Sequence, residues 1–319
     1  MSRSYYSLIT RTAGRWAVQF GDFDRDVVAE EADAVAYSED LKKADVRIIR
    51  TGAKQADILA AVAKLNEKAE AAAAVSSAVI YRGPSLIDGA PIVAVAVVQS
   101  GNSKTGNMVQ TYIIREDIAP VAASKSGADY SICGDCPHRG TPTTDPDRKQ
   151  AIGRACYVVL GQGPTIVYKT LVRGGYRDAL GGDAIRKIGA GRMVRLGTYG
   201  DPAAVPAQVW RDLVADAQGH TAYSHQASKA GAAFDPDLMM QSADNLAEAQ
   251  NAWSLGRRTF RIVADVAAVV RGREILCPAS EEAGKRTTCE KCGLCGGAAV
   301  AARSIAIVAH GAGAVNFVQ

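Results

Sequence analysis

Long apolar runs, a leader segment and an excess of charge of one sign are all missing from this sequence. No apolar stretch approaches the roughly 20 residues that a membrane helix needs, and Met1-Ser-Arg-Ser-Tyr-Tyr lacks the apolar core of a signal peptide. The net charge of +4 is modest, and the thinly spread lysines and arginines form no clear nucleic-acid-binding patch. These absences predict a cytoplasmic protein without a membrane partner. An arginine-lined groove for a phosphorylated ligand is compatible with them.

Cysteine is absent from most of the chain and is confined to four short Gly- and Pro-rich segments. The earlier cysteines form the first cysteine group: Cys133, Cys136 and Cys156. The later ones form the second cysteine group: Cys277, Cys289, Cys292 and Cys295. Free cysteines that serve as small buried hydrophobic residues would be scattered along apolar strands. The chain has seven cysteines, and an odd number without a secretory signal argues against a disulfide framework. The grouping therefore predicts metal binding.

The pattern of the chain divides it into three parts. Residues 1–70 read as strand, strand, helix, strand and helix, which predicts a small α+β (ββαβα) module with its sheet covered on one face. An Ala/Glu-rich run at 66–76 either prolongs the last helix or forms a semi-rigid connector. We interpret 71–105 as a linker with leading strands. Residues 106–319 alternate strands with helices and form a cysteine-rich α/β domain.

The alternation in the last part predicts a mostly parallel sheet, because parallel strands joined by helices need right-handed crossovers. We expect an open or partial (β/α) barrel whose loops gather at the carboxyl ends of the strands. The segment at 165–172 is compatible with a strand or a buried helical turn. Other expected elements include strands at 108–114, 193–197 and 304–309, and helices at 203–216 and 242–254. Since the cysteine segments follow strands, they would lie on the functional rim.

The first cysteine group has the spacing of a metal or cluster site. Cys133-x2-Cys136 puts two thiolates within reach of one ion or cluster, and Cys156 adds a third after 19 residues. Three thiolates can hold a [4Fe–4S] cluster and leave one iron open to a small ligand. With His138 as a fourth ligand they would instead complete a tetrahedral zinc site. A redox dithiol at Cys133 and Cys136 is a third interpretation.

The second cysteine group provides four thiolates, enough to close a site. Closed sites hold structural zinc or an electron-transfer or auxiliary iron–sulfur cluster. The run Cys-x2-Cys-x2-Cys from Cys289 to Cys295 is tighter than a zinc ribbon, in which a long insert separates two pairs. This spacing favours iron–sulfur.

A Gly-Asp-Pro turn, formed by Gly200, Asp201 and Pro202, follows the expected strand at 193–197. Asp201 is a favourable N-cap and Pro202 a favourable first helical residue. On the rim, the same carboxylate and nearby backbone carbonyls would also suit the ammonium of an amino-acid-like ligand.

Four further polar residues are candidate catalytic or binding groups. Tyr223 and His225 come at the end of the next expected strand and would lie on the same rim. Arg195 is a candidate for neutralising a carboxylate or phosphate, and a solvated arginine is the alternative. Arg258 has the same two interpretations.

The order of a three-cysteine loop, a strand ending Gly-x-x-Gly-Asp-Pro and a C-terminal cysteine group resembles the radical S-adenosylmethionine (SAM) enzymes. The resemblance implies that the first cysteine group ligates a [4Fe–4S] cluster that binds SAM. It also implies that the Gly-Asp-Pro turn lies at the SAM amino group and that the second cysteine group holds an auxiliary cluster. A small-molecule or nucleotide substrate would then be positioned by Tyr223, His225 and Arg195. The usual loop of that family is Cys-x3-Cys-x2-Cys, whereas this chain has Cys-x2-Cys-x19-Cys.

About two-thirds of the chain also resembles uncharacterised proteins encoded by tailed bacteriophages. The segments that carry this resemblance are 103–112, 133–139, 198–203, 258–261 and 277–280. It implies expression in the cytoplasm of a bacterial host and no particular activity. The alternative from another class is a zinc-stabilised binding or virion-associated protein whose cysteines are purely structural.

Overall fold

A computed structural model describes residues 4–12, 15–74, 76–98, 104–229, 231–284, 286–311 and 313–317. The chain separates into two units, Met1–Val75 and Ser76–Gln319. Residues 99–103, which belong to the expected linker and include the start of one phage-like segment, lie outside the described residues.

The first unit is a three-stranded antiparallel sheet with a helix on each face. Its elements, in chain order, are β1 (Tyr5–Thr12), β2 (Arg15–Asp22), α1 (Arg25–Ser38), β3 (Val46–Thr51) and α2 (Gln55–Ala74). Leu8 packs against Val28 of α1, while its neighbour Ile9 packs against Val62 of α2. Successive strand residues point to opposite faces, so the expectation of a sheet covered on one face is wrong.

The second unit contains the remaining strands and helices. Its strands are β4 (Ala78–Pro84), β5 (Pro91–Val97), β6 (Val109–Arg115), β7 (Arg177–Asp178), β8 (Met193–Tyr199), β9 (Gly219–Thr221), β10 (Tyr223–Ser224), β11 (Met240–Ala243), β12 (Thr259–Val263), β13 (Glu274–Leu276) and β14 (Ser304–Val308). Its helices are α3 (Pro120–Ser126), α4 (Tyr130–Cys133), α5 (Gly163–Val172), α6 (Gly182–Gly189), α7 (Ala207–Val214), α8 (Leu246–Ser254) and α9 (Cys289–Cys292). Within the described ranges, no helix is both long enough and apolar enough to cross a membrane.

These strands form two sheets. The six-stranded sheet has the order β7-β4-β5-β6-β8-β9, and the five-stranded sheet has the order β10-β11-β12-β14-β13. The five-stranded sheet is wholly parallel. The six-stranded sheet is mixed, because β5 pairs antiparallel with both β4 and β6. The expectation of a mostly parallel α/β sheet is therefore correct for one sheet and only partly correct for the other.

The two sheets meet at Ala222, the single residue between β9 and β10. The backbone N–H of Met240, at the start of β11, donates to the carbonyl of Ala222 over 3.0 Å. One run of chain therefore contributes to both sheets. In the part of the chain that the structure describes, no strand pairing closes them into a barrel.

Three element boundaries differ from the sequence-based expectations, each for a local reason. The segment at 165–172 belongs to helix α5, with Pro164 in its first turn. Pro206 interrupts the helix expected at 203–216, so a 3-10 turn at Pro202–Ala204 precedes α7. The helix expected from 242 starts at Leu246, because Asn245 accepts a hydrogen bond from the N–H of Glu248 as the N-cap.

Candidate metal and cofactor site

The loops that follow β6 and β8 bring the first cysteine group and the Gly-Asp-Pro turn around one cavity. The cavity has a volume of about 110 Å³ and is lined by all three cysteines together with Gly200 and Asp201. The two strands are parallel neighbours, so their carboxyl ends meet at the same edge of the sheet. Residues far apart in sequence thus share one site.

A direct hydrogen bond ties the turn to the cysteine loop. The N–H of Asp201 donates to the carbonyl of Ile132 over 2.6 Å. Cys133 ends the short helix α4, and Gly134 then turns the chain with φ +54°. A Cβ at Gly134 would lie 2.2 Å from Oε1 of Gln226, and the amide of Gln226 donates to the Cys133 carbonyl over 3.0 Å. Only glycine at position 134 lets the Gln226 amide come this close to the backbone.

Cys156 returns to the site because the long loop between it and Cys136 folds back on itself. Thr141 and Ile152 exchange two backbone hydrogen bonds of 2.8 Å as an isolated antiparallel bridge. The N–H of Cys156 then donates to the carbonyl of His138 over 3.0 Å. The bridge brings the two ends of the loop together, so Cys156 lies at the same site as Cys136 although 19 residues separate them in the sequence.

The thiols of the first cysteine group influence one another. Burial raises the pKa of Cys133 well above its usual value, and the nearby charges of Asp129, Cys136 and Cys156 raise it further. Burial likewise raises the pKa of Cys156. Metal binding requires thiolates, so it would release these protons.

The carboxylate of Asp201 is engaged by the protein on both oxygens. Oδ1 accepts from the N–H of Ala203 over 3.0 Å, which confirms Asp201 as the N-cap of the turn. Oδ2 accepts from the N–H of His225 over 2.8 Å. Burial raises the pKa of this carboxyl. Asp201 therefore positions the His225 loop as well as its own turn.

A cluster of two histidines and one aspartate lies beside the first cysteine group. His138 Nε2 and His225 Nε2 are each 3.1 Å from Oδ1 of Asp244, and the three ligand atoms lie within 4.8 Å of one another. Burial alone raises the pKa of Asp244, but its two histidine partners hold it below the usual range. Burial by itself lowers the pKa of His225, whereas Cys136 and Asp244 raise it well above the usual value.

The second cysteine group collects at the start of β9 and β10. Cys289 and Cys292 bracket helix α9, whose first N–H groups donate to the carbonyls of Lys104 and Thr105. Burial and the charges of the other three cysteines raise the pKa of Cys295. The carbonyl of Cys295 accepts from the N–H of Ala222 over 2.8 Å. This hydrogen bond connects the second cysteine group to Ala222, where the two sheets meet.

Arg258 organises the loop of the second cysteine group. Its guanidinium donates to the carbonyls of Leu294, Gly297 and Arg303 over 2.7 to 2.8 Å. These three bonds give Arg258 a structural role in that loop.

Tyr223 and Arg195 lie between the two cysteine groups. Nη2 of Arg195 donates to the hydroxyls of Tyr157 and Tyr223. Tyr223 lines the cavity of the first group, and it also lines a second cavity of about 340 Å³ shared with Arg195 and three cysteines of the second group. The sequence therefore identified two residues of this bridge but missed Tyr157, which adjoins Cys156.

Sequence reasoning also missed Asp244 and Lys104. Asp244 directly follows β11. A helix was expected from 242, so the sequence did not indicate that a strand ends there and did not predict a position on the rim. Lys104 lines the second cavity. It precedes the expected domain boundary at 106, so no pattern in the sequence linked it to the cysteines.

Comparison of the chain with models of protein families, with curated proteins and with solved structures finds no match. The interpretation of the site therefore depends on its own geometry and chemistry.

Proposed function

We propose that this chain is an iron–sulfur cluster-binding protein of the radical SAM type, acting on a small molecule or nucleotide. The first cysteine group would hold a [4Fe–4S] cluster with one iron open to SAM, and the second would hold an auxiliary cluster. The observation that carries the proposal is that one cavity is lined by Cys133, Cys136 and Cys156 together with Gly200 and Asp201 of the Gly-Asp-Pro turn. Its position at the carboxyl ends of parallel strands suits a binding site.

No three thiols of the described cysteines are close enough together to bind one tetrahedral ion, an arrangement that is compatible with a cluster. Ligands of one tetrahedral zinc lie about 3.8 Å apart, as follows from a Zn–S bond of about 2.3 Å. The described cysteines do not provide three thiols within 4.8 Å of one another. In a four-iron cluster each thiolate binds a different iron, so the sulfurs are farther apart.

The succession of strands also supports the family. We propose that β6, β8, β9 with β10, β11, β12 and β14 correspond to the strands of a partial (β/α) barrel. Each of these pairs in parallel with the next within its sheet, and Ala222 joins the two sheets. The first cysteine group then follows the first of these strands, and the Gly-Asp-Pro turn follows the second.

When bound and reduced by one electron from an external donor, the cluster and SAM would supply a carbon radical that abstracts hydrogen from the substrate. The protein's own residues would bind and orient the reactants. The Asp201 carboxylate already accepts from Ala203 and His225, and the carbonyls of Asp201 and Pro202 already accept from other N–H groups. We therefore assign the SAM ammonium to the carbonyl of Gly200, which lines the cavity. Tyr223 and His225 line the same cavity and would orient the substrate or exclude water.

The proposal is tested by replacing Cys156 with Ala in protein purified without oxygen. We expect the variant to keep its fold and lose about half of its iron, the share of one of two four-iron clusters. Ser242→Ala, which alters the same cavity, should retain all of it. Unchanged iron in Cys156→Ala would contradict the proposed ligand, and global unfolding would indicate a structural staple.

A second candidate is a zinc-stabilised binding or virion-associated protein. The cluster of His138, His225 and Asp244 favours it, because its ligand atoms are close enough for one ion and imidazole suits zinc. This candidate would be supported if the purified protein is colourless and contains stoichiometric zinc, and if the Asp244→Asn variant no longer binds that zinc. In both cases we propose a bacterial cytoplasm as the setting.

A further inference from the structure

Two buried hydrogen-bond donors beside the second cysteine group have no partner. Nε of Arg195 and Oγ1 of Thr221 are both buried, and neither forms a hydrogen bond within the described residues. Both side chains line the second cavity together with Cys277, Cys289 and Cys295. Buried polar atoms in folded proteins are nearly always paired. We therefore expect a group bound at this cavity to supply the missing acceptors.

The two donors are neighbours on one face of the six-stranded sheet. Arg195 of β8 is the register partner of Thr221 of β9 in a parallel pair, and the side chains of such partners point to the same face. The next residue, Ala222, donates its backbone N–H to the carbonyl of Cys295 over 2.8 Å. The sheet therefore meets the loop of the second cysteine group at this position.

Two tyrosines hold the guanidinium of Arg195 in place without using its Nε. Nη2 donates to the hydroxyls of Tyr157 and Tyr223. Burial alone lowers the pKa of Arg195, whereas the two tyrosines, Cys289 and Cys295 raise it above its usual value. The cation is therefore close enough to the second cysteine group to interact with its charge.

The sulfur atoms are the negatively charged acceptors of this cavity. Within the described part of the chain no aspartate or glutamate lines it, so its negative charge comes from the thiolates of Cys277, Cys289 and Cys295. A four-iron cluster bound to them would add inorganic sulfides, and the sulfurs of such clusters accept hydrogen bonds from the protein. The two unpaired donors therefore fit a cluster at this position.

We propose that Arg195 and Thr221 donate hydrogen bonds to the sulfurs of the cluster held by the second cysteine group and thereby raise its reduction potential. Reduction adds one electron from an external donor, and with it one negative charge, to the cluster. A fixed positive charge and donated hydrogen bonds stabilise the reduced state more than the oxidised state. The inference rests on the proposed function, in which this group holds an auxiliary cluster, and it assigns Arg195 to that cluster instead of the substrate.

The test is a redox titration of the full-length protein purified without oxygen, with dithionite as the electron donor and electron paramagnetic resonance as the readout. The signal that persists in Cys156→Ala belongs to the second cysteine group. At the wild-type midpoint potential of this signal, Arg195→Gln should lower the ratio of reduced to oxidised cluster about tenfold, which is about 59 mV for one electron. Thr221→Val, which removes one donor and no charge, should lower the ratio about threefold.

Two further variants separate the hydrogen bond from a merely structural effect. Thr221→Ser retains the hydroxyl and should retain the wild-type potential, although it removes a methyl group from the same position. Thr170→Val removes a hydroxyl that accepts from the exposed Arg173 side chain over 3.1 Å, and it should leave the potential unchanged. Iron and sulfide content should be the same in all four variants and the wild-type protein.

An unchanged or higher potential in Arg195→Gln or in Thr221→Val, with the iron content intact, would overturn the inference and leave the proposed function in place. If Arg195→Gln does not fold, the contrast between Thr221→Val and Thr221→Ser decides in the same way. A wild-type protein without iron and sulfide would refute the proposed function, and the inference with it.

Discussion

The backbone N–H of His225 donates a 2.8 Å hydrogen bond to Oδ2 of Asp201. This bond links the loop after β10 to the turn after β8, although 24 residues separate them. The other carboxylate oxygen caps the turn itself through the N–H of Ala203. A single buried side chain therefore fixes the relative positions of two rim loops.

Replacing Asp201 with Ala should destabilise the protein more than the loss of an ordinary cap. We expect a decrease of about 2 to 4 kcal/mol in the free energy of unfolding, since a lost cap costs about 1 kcal/mol and a buried donor left without a partner about 1 to 3 kcal/mol. Urea unfolding followed by circular dichroism measures it.

Asp265→Ala is the matched control for this change. Asp265 also caps a 3-10 turn through the N–H groups of Ala267 and Ala268, but it is exposed. Its loss should cost about 1 kcal/mol. Equal costs at the two positions would contradict the linking role of Asp201.

Gly200 should not tolerate a side chain. Its φ is +84°, and a Cβ there would lie 2.7 Å from Cβ of Ile113 and 2.8 Å from the Ile113 carbonyl oxygen. Gly153 has a similar φ of +65° but open space around it. Both changes to Ala carry the left-handed strain of about 1 to 2 kcal/mol, and we expect Gly200→Ala to cost about 1 to 3 kcal/mol more. Chemical denaturation of both variants measures this difference. Equal destabilisation would show that the turn can move away from β6.

Much of the fold is predictable from local pattern. Strands β6 and β14 are runs rich in β-branched and apolar residues, and the sequence identifies each of them to within one residue at either end. Asp201 and Pro202 are recognised as a cap and first turn because that chemistry is local.

The remaining features depend on contacts between residues that lie far apart in the sequence. The return of Cys156 to the site requires the Thr141–Ile152 bridge, which no spacing rule anticipates. Asp244 acquires its role only when β11 ends beside His225. The antiparallel pairing of β4 with β5 follows from their short connection, which the alternating pattern of the later chain did not suggest.

Stability should depend on pH through His220. Its Nε2 lies 2.8 Å from the carbonyl of Leu238 and must carry a proton to donate to it. Burial lowers the pKa of His220 below its usual value, so the folded state resists a second proton that the unfolded chain accepts near about pH 6.5. The stability contributed by the neutral ring is therefore present above that pH and is lost as the pH falls through it.

His220→Gln keeps a side-chain N–H donor without the titration. We expect the free energy of unfolding of the wild-type protein, relative to this variant, to decrease between about pH 7.5 and about pH 5.5. Urea denaturation at several pH values measures it. A difference that is constant, or that grows on acidification, would contradict a buried neutral His220.

The most direct test is quantitative iron, zinc and acid-labile sulfide analysis of the full chain purified under strict exclusion of oxygen. Two four-iron clusters would give a brown protein with about eight iron and about eight sulfide per chain. A colourless protein with stoichiometric zinc and no sulfide would contradict the iron–sulfur function.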